Sequence, residues 1–120
     1  MKLQEIVKEL SLEVKCAAHN LDKQVSGGYA SDLLSDVMAN SKKDDLWITL
    51  QIHQNIVGVA SLKELAGIII INGREPEEGA LRKAEEENIP IMLTKLPAFE
   101  IVGRLYKLGI RGKRGNAEEI

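Results

Sequence analysis

Short hydroxyl, amide and carboxylate side chains gather in the segments that follow the predicted strands of this 120-residue chain. Residues 26–40 (SGGYASDLLSDVMAN) run through two glycines and small polar residues into a predicted helix. Such a turn exposes backbone N–H groups and hydroxyls, which favours the binding of an anion. Weaker turns of the same kind follow Leu50, Asn72 and Thr94. The sequence therefore predicts several loops that converge on one edge of a sheet and form a pocket.

The candidate ligand-binding residues all lie in or beside these loops, where parallel strands place their binding sites. They are Gly27, Gly28, Tyr29, Ser31, Asp32, Thr49, Gln51, His53, Asn55, Asn72, Gly73, Arg74 and Thr94. Capping and turn formation would select the same residue types at four of them, namely Ser31, Asp32, Asn55 and Asn72. His53 is either a donor to an anion or carbonyl, or a solvent-exposed turn residue.

The elements that must position these loops alternate between helices and short strands. Hydrophobic periodicity predicts helices over 2–10 and 56–65, and strands over 12–17, 46–50, 67–72 and 89–94. Another extended segment begins at Val25 and ends at the two glycines, and Ser31 or Asp32 is predicted to cap the helix that follows. Asn55 is predicted to cap the helix over 56–65, which is apolar nearly all round and therefore expected to be buried.

Two further helices follow from proline and glycine positions. Pro76 suits the first turn of a surface helix, Pro97 opens the last helix, and Gly109 ends it in a left-handed conformation. The resulting alternation predicts the α/β class, with a mainly parallel sheet and right-handed crossovers. Residues 1–110 are predicted to form a single domain, and residues 111–120 a disordered C-terminal tail.

Composition narrows the class of protein. The hydrophobic fraction is 44%, the charged fraction 28% and the net charge −2, which is typical of a globular domain and disfavours nucleic acid as a partner. The apolar segments are too short to span a membrane, and a lone Cys16 without a signal peptide favours the cytoplasm. Two histidines and one cysteine without close spacing do not form a zinc site, so we expect no metal and no cofactor.

Catalysis is not expected from the motifs in this chain. There is no G-x-G-x-x-G fingerprint and no P-loop, which argues against nucleotide hydrolysis. A triad of Ser31, His53 and Asp32 would be an arbitrary selection, because such a set is recognised only by its geometry. We therefore predict that the protein is not an enzyme, with a hydrolase or transferase using Asp32 or His53 as the least favoured alternative.

The last helix carries apolar character outside its core stripe. Phe99, Gly103 and Tyr106 extend that character sideways, which predicts a dimer interface on this face. The alternative is a terminal helix that is simply well buried in its own domain.

The chain from 21 to 110 resembles the stand-alone DRTGG-domain proteins of bacteria and archaea. The similar segments are VSGGYASDLLSDVMANS, DDLWITLQIHQNIVGVASLKELAGIIIINGREP and IPIMLTKLPAFEIVGRLYKLGI. The resemblance implies a three-layer sandwich, as in the N-terminal domain of HPr kinase/phosphorylase, with four to five strands flanked by helices, and a homodimer. Related domains accompany CBS domains in regulated pyrophosphatases. The Asp-Arg-Thr-Gly-Gly pentapeptide is not present, so ligand residues do not transfer by motif.

Two functional hypotheses follow from the loops and the resemblance. The first is a non-catalytic regulatory domain that senses a small anionic or nucleotide-like ligand at the carboxyl ends of the strands. The second is an interaction subunit that docks on a redox or metabolic enzyme and binds no metabolite.

Overall fold

The computed structural model describes residues 1–112 and shows a five-stranded sheet with helices on both faces. The helices are α1 (Leu3–Glu9), α2 (Leu34–Asn40), α3 (Asn55–Leu62), α4 (Glu78–Glu87) and α5 (Ala98–Lys107). The strands are β1 (Glu13–Cys16), β2 (Gly27–Ala30), β3 (Asp45–Thr49), β4 (Gly67–Ile70) and β5 (Ile91–Leu93), and a 3₁₀ turn spans Ala18–Asn20. The predicted α/β class and three-layer sandwich are confirmed.

The strand order is β1-β5-β4-β3-β2, in which β2 to β5 are parallel neighbours. Because these four strands follow one another in space as in sequence, right-handed crossovers bring α2, α3 and α4 to the same face. The edge strand β1 is antiparallel to β5, with Glu13 opposite Leu93. The start of β1 therefore lies at the same edge of the sheet as the ends of the four parallel strands.

Two hydrophobic layers cover the sheet, one on each face. Alternate residues of the central strand β4 enter different layers, with Ile68 and Ile70 under α2, α3 and α4 and Ile69 under α1 and α5. Every residue of β4 is buried, as expected of a central parallel strand that is covered on both sides. None of the helices within residues 1–112 is long and apolar enough to cross a membrane.

The segment around the two glycines differs from the prediction. Gly27 and Gly28 do not end the second strand but begin it, because they pair in register with Asp45 and Leu46 of β3. The Gly28 N–H donates to the carbonyl of Arg111 (3.0 Å), so the chain beyond α5 covers the outer edge of β2 at this point. The rest of the predicted tail, 113–120, lies outside the described residues.

The helix starts were predicted less well than the helices themselves. Helix α2 begins at Leu34 with an extended Leu33 at its N-cap, so neither Ser31 nor Asp32 caps it. Asn55 is the first residue of α3 and Gln54 is its N-cap. The expectation that this helix is buried all round was wrong at Leu62, which is 70% exposed. Pro97 at the start of α5 and a left-handed Gly109 after it are confirmed.

Candidate functional site

The loops that follow β2, β3, β4 and β5 lie along one edge of the sheet, because these strands are parallel. The predicted ligand-binding residues are in these loops or in the strands that lead into them, but Gly27 and Gly28 lie at the amino end of β2, away from this edge. The structure divides the edge into two parts with different local chemistry. At the β2–β3 end the polar groups bond to one another, and at the β4–β5 end they surround an open space.

Asp32 holds the β2–β3 end together. Its Oδ1 accepts from the Thr49 hydroxyl (2.9 Å) and from the Leu50 N–H (2.6 Å), and its carbonyl accepts from the Gln51 side-chain amide (2.8 Å). The Thr49 hydroxyl also accepts from the Gln51 N–H (3.1 Å), and Thr49 is only 1% exposed. Residues Ser31, Asp32, Thr49, Leu50 and Gln51 are referred to below as the bonded corner.

Ser31 is tied to the core by its main chain. Its carbonyl accepts from the indole N–H of the fully buried Trp47 (2.8 Å), and its hydroxyl accepts from the Leu33 N–H (3.2 Å). These bonds fix the chain between β2 and α2, since Ser31 cannot shift without breaking the bond to Trp47. The serine hydroxyl therefore acts within the fold and is not presented as an exposed cap.

The Asp36 carboxylate accepts hydrogen bonds from a residue of β2 and from a residue of its own helix, α2. The Tyr29 hydroxyl lies 2.9 and 2.8 Å from its two carboxylate oxygens, and the Asn40 amide donates to Oδ1 (2.9 Å). Hydrogen bonds from Ser31, Tyr29 and Asn40 lower the pKa of Asp36 below its ordinary value of 3.8. Burial and the neighbouring carboxylate raise the pKa of Tyr29. The predicted ligand contact Tyr29 thus has an internal partner.

His53 after β3 and Arg74 after β4 also form hydrogen bonds within the fold. His53 Nδ1 accepts from the Asn55 N–H (3.1 Å), which caps the first turn of α3. The Arg74 guanidinium donates to the carbonyl of Leu50 and so joins the loop after β4 to the bonded corner. His53 is exposed to solvent.

The loop after β4 is a tight turn. Asn72 and Gly73 have φ values of +60° and +67°, and the Arg74 N–H donates to the carbonyl of Ile71 (3.2 Å), which is the geometry of a type I′ turn. The Gly73 N–H donates to the carbonyl of Thr94 (2.9 Å), so this turn is fastened to the end of β5. The Thr94 hydroxyl accepts from the Leu96 N–H (3.2 Å).

A cleft of about 360 Å³ opens beside this turn, between the ends of β4 and β5 and the start of β1. Its walls come from the α1–β1 connection, the two strand ends and one side of α5. They are Leu10, Ser11, Glu13, Gly73, Glu75, Leu93, Thr94, Lys95, Leu96 and Arg104. This set is referred to below as the open cleft. Of the predicted ligand-binding residues, only Gly73 and Thr94 belong to it.

The charges of the open cleft are partly paired. Lys15 lies 3.5 Å from Glu13 and 3.3 Å from Glu75, and these two carboxylates raise the pKa of Lys15, with Glu75 contributing more. Arg104 lies 3.6 Å from Glu100 on the preceding turn of α5. The Lys95 ammonium group has no ion-pair partner among residues 1–112. Within the described part of the chain, Lys95 is therefore a cation of the open cleft that is free to meet an anionic group.

Several residues of the open cleft were missed because they reach it by long-range packing. Ser11 and Glu13 arrive through the antiparallel pairing of β1 with β5, and Arg104 arrives through the docking of α5. Local sequence patterns carry no signal for either event. For Lys95 the sequence does contain a local signal, because this residue directly follows Thr94 at a predicted strand end.

The residues of the predicted dimer interface lie on the solvent side of α5. Phe99 is 91% exposed and Tyr106 is 56% exposed, whereas Ile101 and Leu105 are buried. The alternative of a fully buried terminal helix is therefore wrong for this face. Within residues 1–112 there is no group of three or more His, Cys, Asp or Glu side chains that could hold a metal ion.

The fold is similar to that of a solved regulatory region. That solved structure contains the CBS and DRTGG domains of the regulatory region of Clostridium perfringens pyrophosphatase, complexed with the activator diadenosine tetraphosphate. The TM-score is 0.66 at 16% sequence identity, over 95% of this chain and 51% of the other. At this identity the likeness concerns the fold alone. No protein-family model and no curated protein matches the chain.

Proposed function

We propose that this chain is a non-catalytic regulatory domain that senses a small anionic or nucleotide-like ligand, and that the ligand binds in the open cleft. The observation that carries the proposal is Lys95, which has no ion-pair partner among residues 1–112 and lies in a concave space at the carboxyl edge of a parallel sheet. Ligands of open α/β sheets bind outside this edge, where the loops of several strands meet.

The size of the open cleft suits one small ligand. Its volume of about 360 Å³ is near the lower end of the range of about 300–1,000 Å³ that is usual for small-molecule sites. Leu10, Leu93 and Leu96 give it an apolar wall that an aromatic ring or an aliphatic group would cover. Lys95 and Arg104 supply charged donors, so a compact molecule with one anionic end matches both kinds of surface.

The charge pairing in the open cleft supports an anionic ligand. Lys15 holds Glu13 and Glu75 together, which reduces the repulsion that these carboxylates would exert on an anion. Glu100 engages Arg104 at an exposed position, and such surface pairs are weak enough to be exchanged for a ligand. Lys95 needs no exchange, because it has no ion-pair partner among the described residues.

A regulatory role is supported by the fold and by the chemistry of the open cleft. The similar structure is a regulatory region bound to an activator, and we carry the regulatory role to this chain by analogy of fold. The hydroxyls in the walls of the open cleft are those of Ser11 and Thr94. Among residues 1–112 neither donates to a side chain that could act as a base, and the Thr94 hydroxyl accepts a hydrogen bond from the Leu96 N–H. A nucleophile with an adjacent base is therefore not found among these residues.

Thermal denaturation of the purified chain with nucleotides, dinucleotides and phosphorylated metabolites tests the proposal. A ligand at 100 times its dissociation constant stabilises the native state by about 2.7 kcal/mol, which gives a clear rise in Tm. Lys95→Glu is expected to abolish the rise without lowering the Tm of the free protein. The matched control is Lys42→Glu, an exposed charge reversal in the loop before β3, at the opposite edge of the sheet, which should retain the rise. Absence of a rise with every compound, or an equal rise in the Lys95→Glu variant, would refute the proposal.

A further inference from the structure

The open cleft has walls of opposite charge. Glu13 of β1 and Glu75 of the loop before α4 both border it. Glu13 is paired opposite Leu93 of β5, and Leu93 belongs to the hydrophobic layer under α2, α3 and α4. On the other side, Arg104 extends from α5, and Lys95 lies in the connection that leads into that helix. The cleft therefore has an acidic wall on the side of α4 and a basic wall on the side of α5.

The acidic wall suits neutral hydroxyl donors. The Lys15 ammonium group lies 3.5 Å from Glu13 and 3.3 Å from Glu75, so the two carboxylates are close to each other. Their side chains are 64% and 65% exposed, and an ionised carboxylate accepts about four hydrogen bonds, so both keep sites for a ligand. Lys15 would repel a ligand ammonium group at this wall, whereas a hydroxyl group can donate to either carboxylate without displacing Lys15.

The basic wall suits a single phosphate group. Lys95 has no ion-pair partner within the described residues, and Arg104 can exchange its exposed partner Glu100 for a ligand. A phosphate monoester carries a charge of about −1.5 to −2 at neutral pH, which these two cations balance. A chain of several phosphates would carry more negative charge than two cations balance, and the excess would face the carboxylates of the acidic wall.

An apolar surface joins the two walls. Leu93 comes from the hydrophobic layer under α4, whereas Leu10 and Leu96 pack against the layer under α1 and α5, and all three border the cleft. A flat ring would cover this surface and remove it from water. A space of about 360 Å³ has room for one nucleoside with its phosphate, but not for two nucleosides joined by a phosphate chain.

We propose that the ligand of the open cleft is a ribonucleoside 5′-monophosphate. Its phosphate binds Lys95 and Arg104, and its base covers the apolar surface. The 2′- and 3′-hydroxyls of its ribose donate to Glu13 and Glu75. This inference rests on the proposed function, because it names the class of ligand for the same site.

Isothermal titration calorimetry with matched nucleotides tests this class of ligand. The probes are the ribonucleoside 5′-monophosphates of adenine, guanine, cytosine and uracil, their 2′,3′-dideoxy counterparts and the unphosphorylated nucleosides. At least one monophosphate is expected to bind. Its dideoxy counterpart should bind at least about tenfold more weakly, because it loses the hydrogen bonds to two carboxylates. The nucleoside should also bind at least about tenfold more weakly, because it has no group for the basic wall.

Substitution of the acidic wall tests the role of the ribose. Glu75→Ala should reduce the preference for the ribonucleotide over its dideoxy counterpart by at least about threefold, because it removes one of the two acceptors. The preference is the quantity to measure, since the changed charge near Lys15 acts on both nucleotides alike. The matched control is Glu77→Ala, an exposed carboxylate two residues later that does not border the cleft, and it should keep the full preference.

Three results would overturn this inference and leave the proposed function standing, provided that Lys95→Glu still abolishes ligand binding. They are equal binding of ribonucleotide and dideoxynucleotide, an unchanged preference in the Glu75→Ala variant, and tighter binding of diadenosine tetraphosphate or inorganic phosphate than of every monophosphate. The absence of binding by every compound, or binding that survives Lys95→Glu, would instead refute the proposed function together with this inference.

Discussion

The two ends of the sheet's carboxyl edge carry polar residues of similar kinds that the fold uses differently. In the bonded corner, Asp32 accepts from Thr49 and Leu50, and Gln51 donates back to the Asp32 carbonyl. In the open cleft, Lys95 has no ion-pair partner among residues 1–112, and the space beside it measures about 360 Å³. Polar loops at strand ends can thus either stabilise the fold or border an open space, and their hydrogen-bond partners distinguish the two cases.

The bonded corner should therefore behave as a stability element. Asp32→Ala removes the acceptor of the Thr49 hydroxyl and of the Leu50 N–H, and Thr49 is too buried to reach water instead. We expect a loss of about 1–3 kcal/mol in the free energy of unfolding, measured by urea denaturation. The control is Asp22→Ala, an exposed carboxylate for which the described residues provide no hydrogen-bond or ion-pair partner. Equal stability of the Asp32→Ala variant and the wild type would show that the bonded corner does not stabilise the fold.

The Thr49 hydroxyl allows a finer version of this test. Thr49→Val keeps the shape of the side chain and removes one donor and one acceptor, at an expected cost of about 1 kcal/mol in the free energy of unfolding. Combined with Asp32→Ala, it should lose less than the sum of the two single variants, by at least about 0.5 kcal/mol, because both act on one bond. Strictly additive effects in the double-mutant cycle would show that the two side chains stabilise the fold independently.

The Asp36 carboxylate, next to the bonded corner, should make the stability of the fold depend on pH. Its folded pKa is lowered, first by Ser31 and then by Tyr29 and Asn40, so its contribution to stability is present above pH 3.8 and is lost as the pH falls through the folded value. Ser31→Ala and Tyr29→Phe should each raise this pKa towards 3.8. An NMR titration of the Asp36 carboxyl measures both changes, and an unshifted carboxyl in the wild type would contradict the hydrogen bonds described here.

Local sequence patterns were sufficient for much of the fold. The apolar run before Asn72 identified the central strand β4, and Pro97 and Gly109 marked the last helix, because these signals depend on neighbouring residues only. Gly27 and Gly28 were read as the end of a strand, since glycine has low strand propensity and the pairing with β3 that outweighs it is a tertiary interaction.

The candidate site was predicted only in outline. Parallel strands put the loops at one edge, which the alternation of helices and strands already indicated. The sequence does not show that Asp32 would accept a hydrogen bond from Thr49, because the same residue types cap helices, form turns and bind ligands. It also does not show that β1 and α5 would complete the open cleft with Glu13 and Arg104, because both arrive by long-range packing.

An NMR titration of the ¹⁵N-labelled chain directly locates the residues that a ligand contacts. The spectrum would be followed during addition of a compound that raises the Tm, or of each nucleotide in turn if none does. If the ligand binds in the open cleft, the amide signals of residues 10–13, 73–75 and 93–96 will shift, and those of the bonded corner will stay nearly unchanged. Shifts confined to residues 31–32 and 49–51, or no shifts with any compound, would contradict it.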